Sequence, residues 1–217
     1  MIHDDIFIFD NTVEEDLMKN LAAIVTEPGW KYAHIGNHFH KEYLELGSPN
    51  TTSKKEKNYP YSQEVLDNPI FGIGRQDQHW KFDLDPDDRV WNINGSNILW
   101  ENIIQPKIKK QLKLDLELER AYVNGVTTDR YGFIHRDSDN SNAWTILYYG
   151  NLIWKPNWHG ETVFYNDDVS DVTRIVYPRP GRWILFNARL FHVGMPVTSF
   201  FRGLRITYAF KTIEKKG

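Results

Sequence analysis

Arg205-Ile206-Thr207-Tyr208-Ala209-Phe210 alternates as a half-buried strand should, and it places Arg205 and Thr207 on one face. Short β-rich runs lead up to it at 118–124, 143–149, 161–164, 174–176, 183–186 and 192–196, with Gly, Pro, Asn and Asp between them. The last run spans 203–211. Many short strands after a helical first half predict an α+β protein. Its core would be a double-stranded β-helix (jelly roll) over 118–211, with 1–117 as helical support and a possible lid, all in one domain. A guanidinium pointing into such a barrel is costly unless an anion meets it, and a bidentate carboxylate is the natural partner. An internal Asp or Glu would serve as well.

Outward from the barrel, Ile6-Phe7-Ile8-Phe9 reads as an opening strand. Thr12-Val13-Glu14-Glu15 has the form of a capping box, and Val13, Leu17, Leu21, Ile24 and Val25 fall on one helical face that Pro28-Gly29 ends. Residues 47–61 read as a surface loop, and 62–95 have no clear periodicity. A second helix begins near Ser96 or Asn97, with Ile98, Leu99, Ile103, Ile104, Ile108 and Leu112 as its apolar stripe and Pro106 set to kink or divide it.

Composition narrows the function classes. The 217 residues carry a net charge of −3, and the basic runs, Ser53-Lys54-Lys55-Glu56-Lys57 and 107–113, are short and mixed with acids. They read as solvated faces, so neither a nucleic-acid nor a membrane partner is expected. With no cysteine, disulfides, thiol nucleophiles and Cys-ligated metals are excluded, which leaves His and carboxylate as ligands. No signal-like or membrane-spanning run is present, and a cytoplasmic protein is expected. Aromatics make up 14% of the chain, which suits a shaped, wet cavity or equally an aromatic core.

His135-Arg136-Asp137 follows the glycine-punctuated run Tyr131-Gly132-Phe133-Ile134. In an extended backbone residues i and i+2 share a side, so His135 and Asp137 can hold one metal, and His192 supplies a second imidazole from a neighbouring strand. Two histidines and one carboxylate on one face of a metal leave the other face open, the arrangement of non-haem Fe(II) oxygenases. The plainer alternatives are an Asp-capped turn beside a structural His135, and a strand-start His192 bonded to backbone. His34, His38 and His40 lie in a polar segment and read as surface histidines, and His3 and His79 have no partner pattern.

From about Glu119 to Lys211 the chain resembles the Fe(II)/2-oxoglutarate-dependent dioxygenases, in particular their prolyl 4-hydroxylase-like branch. The matching elements run in order: Ala121-Tyr122-Val123-Asn124-Gly125, His135-Arg136-Asp137, Thr145-Ile146-Leu147-Tyr148-Tyr149 and Trp158-His159-Gly160-Glu161-Thr162. Pro180-Gly181-Arg182, His192-Val193-Gly194-Met195-Pro196-Val197 and Arg205-Ile206-Thr207 follow. The resemblance implies a metal triad of His135, Asp137 and His192, which are also the catalytic residues. It implies a co-substrate site of Arg205, Tyr149, Tyr122, Asn124 and Thr207, with Tyr148 packed on the opposite strand face. Arg202 rivals Arg205, which is preferred because Arg205-x-Thr207 fits the family's R-x-S/T strand pattern. Where the family often has Gly-Gly before Glu-Thr, this chain has His159-Gly160, so His159 is expected in an exposed loop or against substrate.

The implied chemistry is Fe(II)-dependent hydroxylation of an unactivated C–H bond, consuming 2-oxoglutarate and O2 and releasing succinate and CO2, with ascorbate as an accessory reductant. The branch favours a prolyl residue in a peptide or protein. The alternatives are a small-molecule or nucleobase substrate, and a metal-binding jelly-roll module without catalysis. Segments 66–95, with Arg75, Trp80 and Trp91, and 154–158, with Trp154 and Trp158, are the candidate lid and groove.

Overall fold

In the computed structural model the described residues are 5–34, 79–84, 89–128, 132 and 134–215. Among the described residues ten strands form two antiparallel sheets. They are β1 (Ile6–Phe9), β2 (Lys31–His34), β3 (His79–Leu84), β4 (Leu116–Val126), β5 (Ala143–Tyr149), β6 (Thr162–Tyr165), β7 (Val172–Val176), β8 (Trp183–Asn187), β9 (His192–Gly194) and β10 (Arg205–Glu214). The large sheet runs β1-β8-β5-β10-β4-β3-β2 and the small one β7-β6-β9. An isolated antiparallel bridge between His135 and His192 adds a fourth position beside β9. The central four strands of the large sheet thus face four positions of the small one, the layout expected of a jelly roll.

The sheets are not confined to the second half of the chain. β1 pairs with β8, and β3 pairs with β4, so strands from the first half extend both edges of the large sheet. A four-residue run such as Ile6–Phe9 buries its ends against an existing strand, and an unpaired edge at β8 would leave backbone donors open.

Alternation sorts the large sheet into two faces. One carries Trp144, Ile146, Tyr148, Trp183, Leu185, Ile206, Tyr208 and Phe210, packed with Leu21, Ile24, Leu99, Trp100, Ile104 and Ile108 from the helices. The other carries Ile6, Tyr149, Ile184 and Phe186, packed with Phe164, Val176 and Leu190 between the sheets. Tyr208 ties the helical layer to the sheet: its hydroxyl, fully buried, donates to the Leu21 carbonyl at 2.7 Å. Tyr208→Phe removes that donor, while a backbone N–H at the helix C-cap still reaches the carbonyl, and is expected to cost about 0.5–1.5 kcal/mol in denaturant unfolding, with unchanged far-ultraviolet circular dichroism.

Local chemistry departs from the sequence reading in three places. α1 (Glu15–Ala22) begins without a side-chain cap, because Thr12 instead accepts the Trp183 indole N–H at 2.8 Å. The chain then tightens into a 3-10 turn, Ala23–Thr26, whose larger rotation per residue swings Val25 out to solvent. The second helix starts at Ser96 as read, as α2 (Ser96–Ile98), a π turn (Leu99–Ile104) and α3 (Gln105–Leu112). Pro106, which has no N–H to give, sits just past the π turn. The π turn shifts the register, so Trp100 is buried and Ile98 is exposed. No helix among the described residues is long and apolar enough to cross a membrane.

Candidate metal centre and co-substrate site

His135 and His192 exchange backbone hydrogen bonds, His135 N–H to the His192 carbonyl at 3.0 Å and His192 N–H to the His135 carbonyl at 2.9 Å. That exchange sets their rings side by side with centroids 4.5 Å apart. The Asp137 N–H donates to the Ala188 carbonyl at 2.9 Å, which anchors the third residue to the end of β8. One ligand atom from each of His135, Asp137 and His192 lies within 4.8 Å of the other two. Asp137 Oδ1 is 3.6 Å from His135 Nε2, and Asp137 Oδ2 is 3.5 Å from His192 Nε2. Among the described residues no other group of three His, Asp or Glu converges in this way.

His192 and Asp137 are each in the state that a metal ligand needs. His192 Nδ1 lies 2.9 Å from the Leu190 carbonyl, which can only accept, so Nδ1 carries the hydrogen and Nε2 keeps its lone pair. Both plainer readings of His192, strand start and backbone bond, are therefore true, and both serve to aim the other nitrogen. Burial among Phe164 and Phe186 pushes the His192 pKa down to about 3, against the pull of the Asp137 charge. For Asp137 burial acts to raise the pKa, but Lys211, His192 and His135 together hold it well below the usual carboxylate range.

These shifts carry a sign. Both groups have folded-state pKa values below their unfolded ones, so each stabilises the metal-free fold above its unfolded pKa, and that stability is lost as pH falls. The His192 contribution is present above about 6.5 and declines towards 3. Melting temperatures of metal-free protein are expected to fall steadily below about pH 6.5, and His192→Gln flattens the upper part of that decline.

Beyond the triad, β10 carries Arg205, Thr207, Ala209 and Lys211 on the face turned to the small sheet. Thr207 stands opposite Tyr149 of β5 and Asn124 of β4, and Ala209 opposite Tyr122. Arg205 is 4% exposed, whereas Arg202 is exposed. Its Nε donates to the Gly160 carbonyl at 2.8 Å, and the guanidinium carbon is 5.8 Å from the Tyr149 ring centre. No carboxylate among the described residues forms an ion pair with it. Gly160 is needed here: it has φ +81°, and a Cβ would lie 3.0 Å from Arg205 Cδ. The preceding His159 also has a positive φ, 55°, and its side chain is exposed. Tyr149 Oη pairs with Thr162 Oγ1 at 2.8 Å, and the buried Asn124 Oδ1 has no hydrogen-bond donor. Tyr122 lies along the same face, its ring 5.0 Å from the Lys81 ammonium and 5.1 Å from the Arg120 guanidinium.

A buried guanidinium that forms no ion pair fits a small dianionic co-substrate, whereas the Asn124 amide oxygen, an acceptor, would need a donor such as a water. The donor set of two imidazoles and one carboxylate fits a divalent iron.

Other expected site features fall elsewhere. Trp91 is core, packed edge-on against Phe210 with its N–H on Glu101 at 3.0 Å, so it cannot line a lid. Trp154 is buried against Trp158 and Phe201, its N–H on the His159 carbonyl at 2.8 Å, which leaves Trp158 as the half-exposed ring of that loop. His34 and His79 stand opposite each other in β2 and β3. Arg75, His3, His38 and His40 lie outside the described residues, as do the side chains of His34, His79 and Trp80.

Two residues were missed. Thr145 Oγ1 donates to Asp137 Oδ2 at 2.7 Å, and Lys211 contacts the same oxygen. The available signal was phase: Lys211 follows Arg205 at an even spacing on the terminal strand. A cavity of about 280 Å³ opens beside them, with Asp137, Thr145, Lys211, Arg120 and Trp144 among its walls.

No protein-family model matches the sequence, and no curated protein matches it either. Solved structures do match in fold. AviO1 from Streptomyces viridochromogenes Tue57 superposes with a TM-score of 0.58 at 12% identity, covering 98% of this chain and 90% of that one. The viral collagen prolyl hydroxylase vCPH from Paramecium Bursaria Chlorella virus-1, solved as its 2OG complex, gives 0.53 at 13% identity, with 97% of each chain covered. An oxidoreductase of the 2OG-Fe(II) oxygenase family from Burkholderia pseudomallei gives 0.51 at 11% identity, covering 92% and 91%. At such identities the likeness establishes a shared fold, the one on which 2OG-Fe(II) oxygenases and prolyl hydroxylases are built.

Proposed function

We propose that this chain is an Fe(II)- and 2-oxoglutarate-dependent dioxygenase that hydroxylates a prolyl residue in a peptide or protein, releasing succinate and CO2. The observation that carries the reading is the convergence of His135, Asp137 and His192, together with a buried Arg205 on the inward face of β10 that forms no ion pair and feels Glu161 only at longer range. A jelly roll serving only to bind has no reason to bury that charge beside an open ligand set.

The bound iron would supply the oxidising chemistry, with O2 as oxidant and 2-oxoglutarate as the second reductant. His135, His192 and Asp137 would hold the metal, with His192 offering Nε2. Leu190, through its carbonyl, keeps the His192 tautomer fixed, so no proton has to leave before the metal binds. Arg205 meets the far carboxylate of the co-substrate through its free nitrogens while Gly160 fixes its Nε. Asn124, Thr207, Tyr149 and Tyr122 line the same face, and a water between Asn124 Oδ1 and the co-substrate would supply the donor that this oxygen lacks. Phe164 and Phe186 keep water from the inner side of His192. Ascorbate would act only by returning the iron to its reduced state.

The prolyl assignment rests on the branch resemblance, and the peptide would approach past Trp158 or the cavity beside Asp137. The test is a set of proline-containing peptides incubated with protein, Fe(II), 2-oxoglutarate and air. A gain of one oxygen atom on proline with equimolar succinate supports the reading. Succinate that forms only with a metabolite or nucleobase overturns the prolyl substrate and keeps the oxygenase.

A further inference from the structure

Among the described residues the two close donors to Asp137 outside the triad both sit on Oδ2, which also lies 3.5 Å from His192 Nε2. Thr145 Oγ1 donates to Oδ2 at 2.7 Å, and the Lys211 ammonium touches Oδ2 and donates to Thr145 Oγ1 at 3.2 Å. The three groups form a closed triangle across β5 and β10, where Lys211 stands directly opposite Thr145. It is a costly arrangement, with the Lys211 side chain 14% exposed, that of Asp137 10%, and Thr145 fully buried. A solvated lysine at a strand end would have been cheaper. A carboxylate has about four lone-pair positions, and two donors on Oδ2 use those of that oxygen. Oδ1, 3.6 Å from His135 Nε2, is left for a metal.

We infer that Lys211 is a positioning residue which, with Thr145, holds Asp137 to a single metal-binding oxygen. The inference rests on the proposed oxygenase reading. Its consequence is a count of coordination positions. Three positions must stay open for a chelating co-substrate and O2, and a carboxylate that swung to bind through both oxygens would close one of them. Lys211 also offsets the Asp137 charge from behind, so the carboxylate is fixed before the metal arrives. Both effects require a donor at this place; bulk alone does not supply them.

The test uses Co(II) loaded into the purified protein, because the intensity and position of its visible bands report coordination number without turnover. The variants are Lys211→Met, Lys211→Arg and Thr145→Val. Lys211→Met is expected to change the Co(II) bands and to lower kcat with Fe(II) by roughly 10–100-fold, with a smaller effect on KM for 2-oxoglutarate. Lys211→Arg, which keeps the donors, returns the parent spectrum, and Thr145→Val shifts the bands in the same direction as Lys211→Met. If Lys211→Met does not fold, Lys211→Arg and Thr145→Val still provide the comparison. Parent-like bands and kcat within about twofold in Lys211→Met, or in Thr145→Val if that is the variant measured, overturn the inference while leaving the oxygenase reading intact. Failure of the parent protein to take up Co(II) overturns the oxygenase reading, and this inference with it.

Discussion

His192→Ala is expected to abolish metal retention and turnover in a protein that remains folded. The ring contributes Nε2 to the triad and no other hydrogen bond than the one from Nδ1 to the Leu190 carbonyl, so the strand pairing of β9 with β6 survives its removal. Loss of a ligand should weaken Fe(II) binding by more than the roughly 10–100-fold that follows loss of an outer partner. The void left against Phe164 and Phe186 costs about 2 kcal/mol, which at this length lowers the melting temperature by roughly 4–8 °C. Inductively coupled plasma analysis of iron after gel filtration, with a melting curve on the same sample, separates the two effects. Normal turnover in this variant would sink the triad.

Arg205→Met should raise KM for 2-oxoglutarate steeply with a smaller change in metal affinity. Removing one partner of a buried, hydrogen-bonded charge pair costs about 2–5 kcal/mol, equivalent to roughly 30- to 5000-fold. Arg202→Met, at an exposed position, should leave KM unchanged. A large effect at Arg202 with none at Arg205 would assign the anchor to the wrong residue. Methionine keeps most of the aliphatic bulk beside Gly160, so a fall in stability should not obscure the reading.

Much of the site was legible because strand alternation is a strong constraint. Once 205–210 is a strand, Arg205 and Thr207 share one face; the strand is buried on both faces rather than half-buried, and Arg202 is exposed because it precedes β10. Ala143–Tyr149 was readable to the residue because apolar side chains fill both of its faces, one towards the helices and one towards the small sheet. Two kinds of feature were hidden. One depends on pairing between distant segments: nothing local says that Ile6–Phe9 lies on β8, or that the strand containing Phe82 lies on β4. The other depends on competition for a polar group. Thr12 suits a helix cap, but the Trp183 indole claims it, and Lys211 suits a solvated strand end, but Asp137 claims it. Likewise Trp91 and Trp154 are aromatic enough for a groove, yet each is fixed by a part-buried hydrogen bond and by ring contacts.

The most direct measurement is an anaerobic titration of metal-free protein with Fe(II) and 2-oxoglutarate, followed by visible absorption. A weak charge-transfer band that saturates with 2-oxoglutarate, requires Fe(II) and disappears in His135→Ala is the predicted result. Tight metal binding with no such band at any 2-oxoglutarate concentration would contradict the co-substrate site and leave a metal-binding jelly roll.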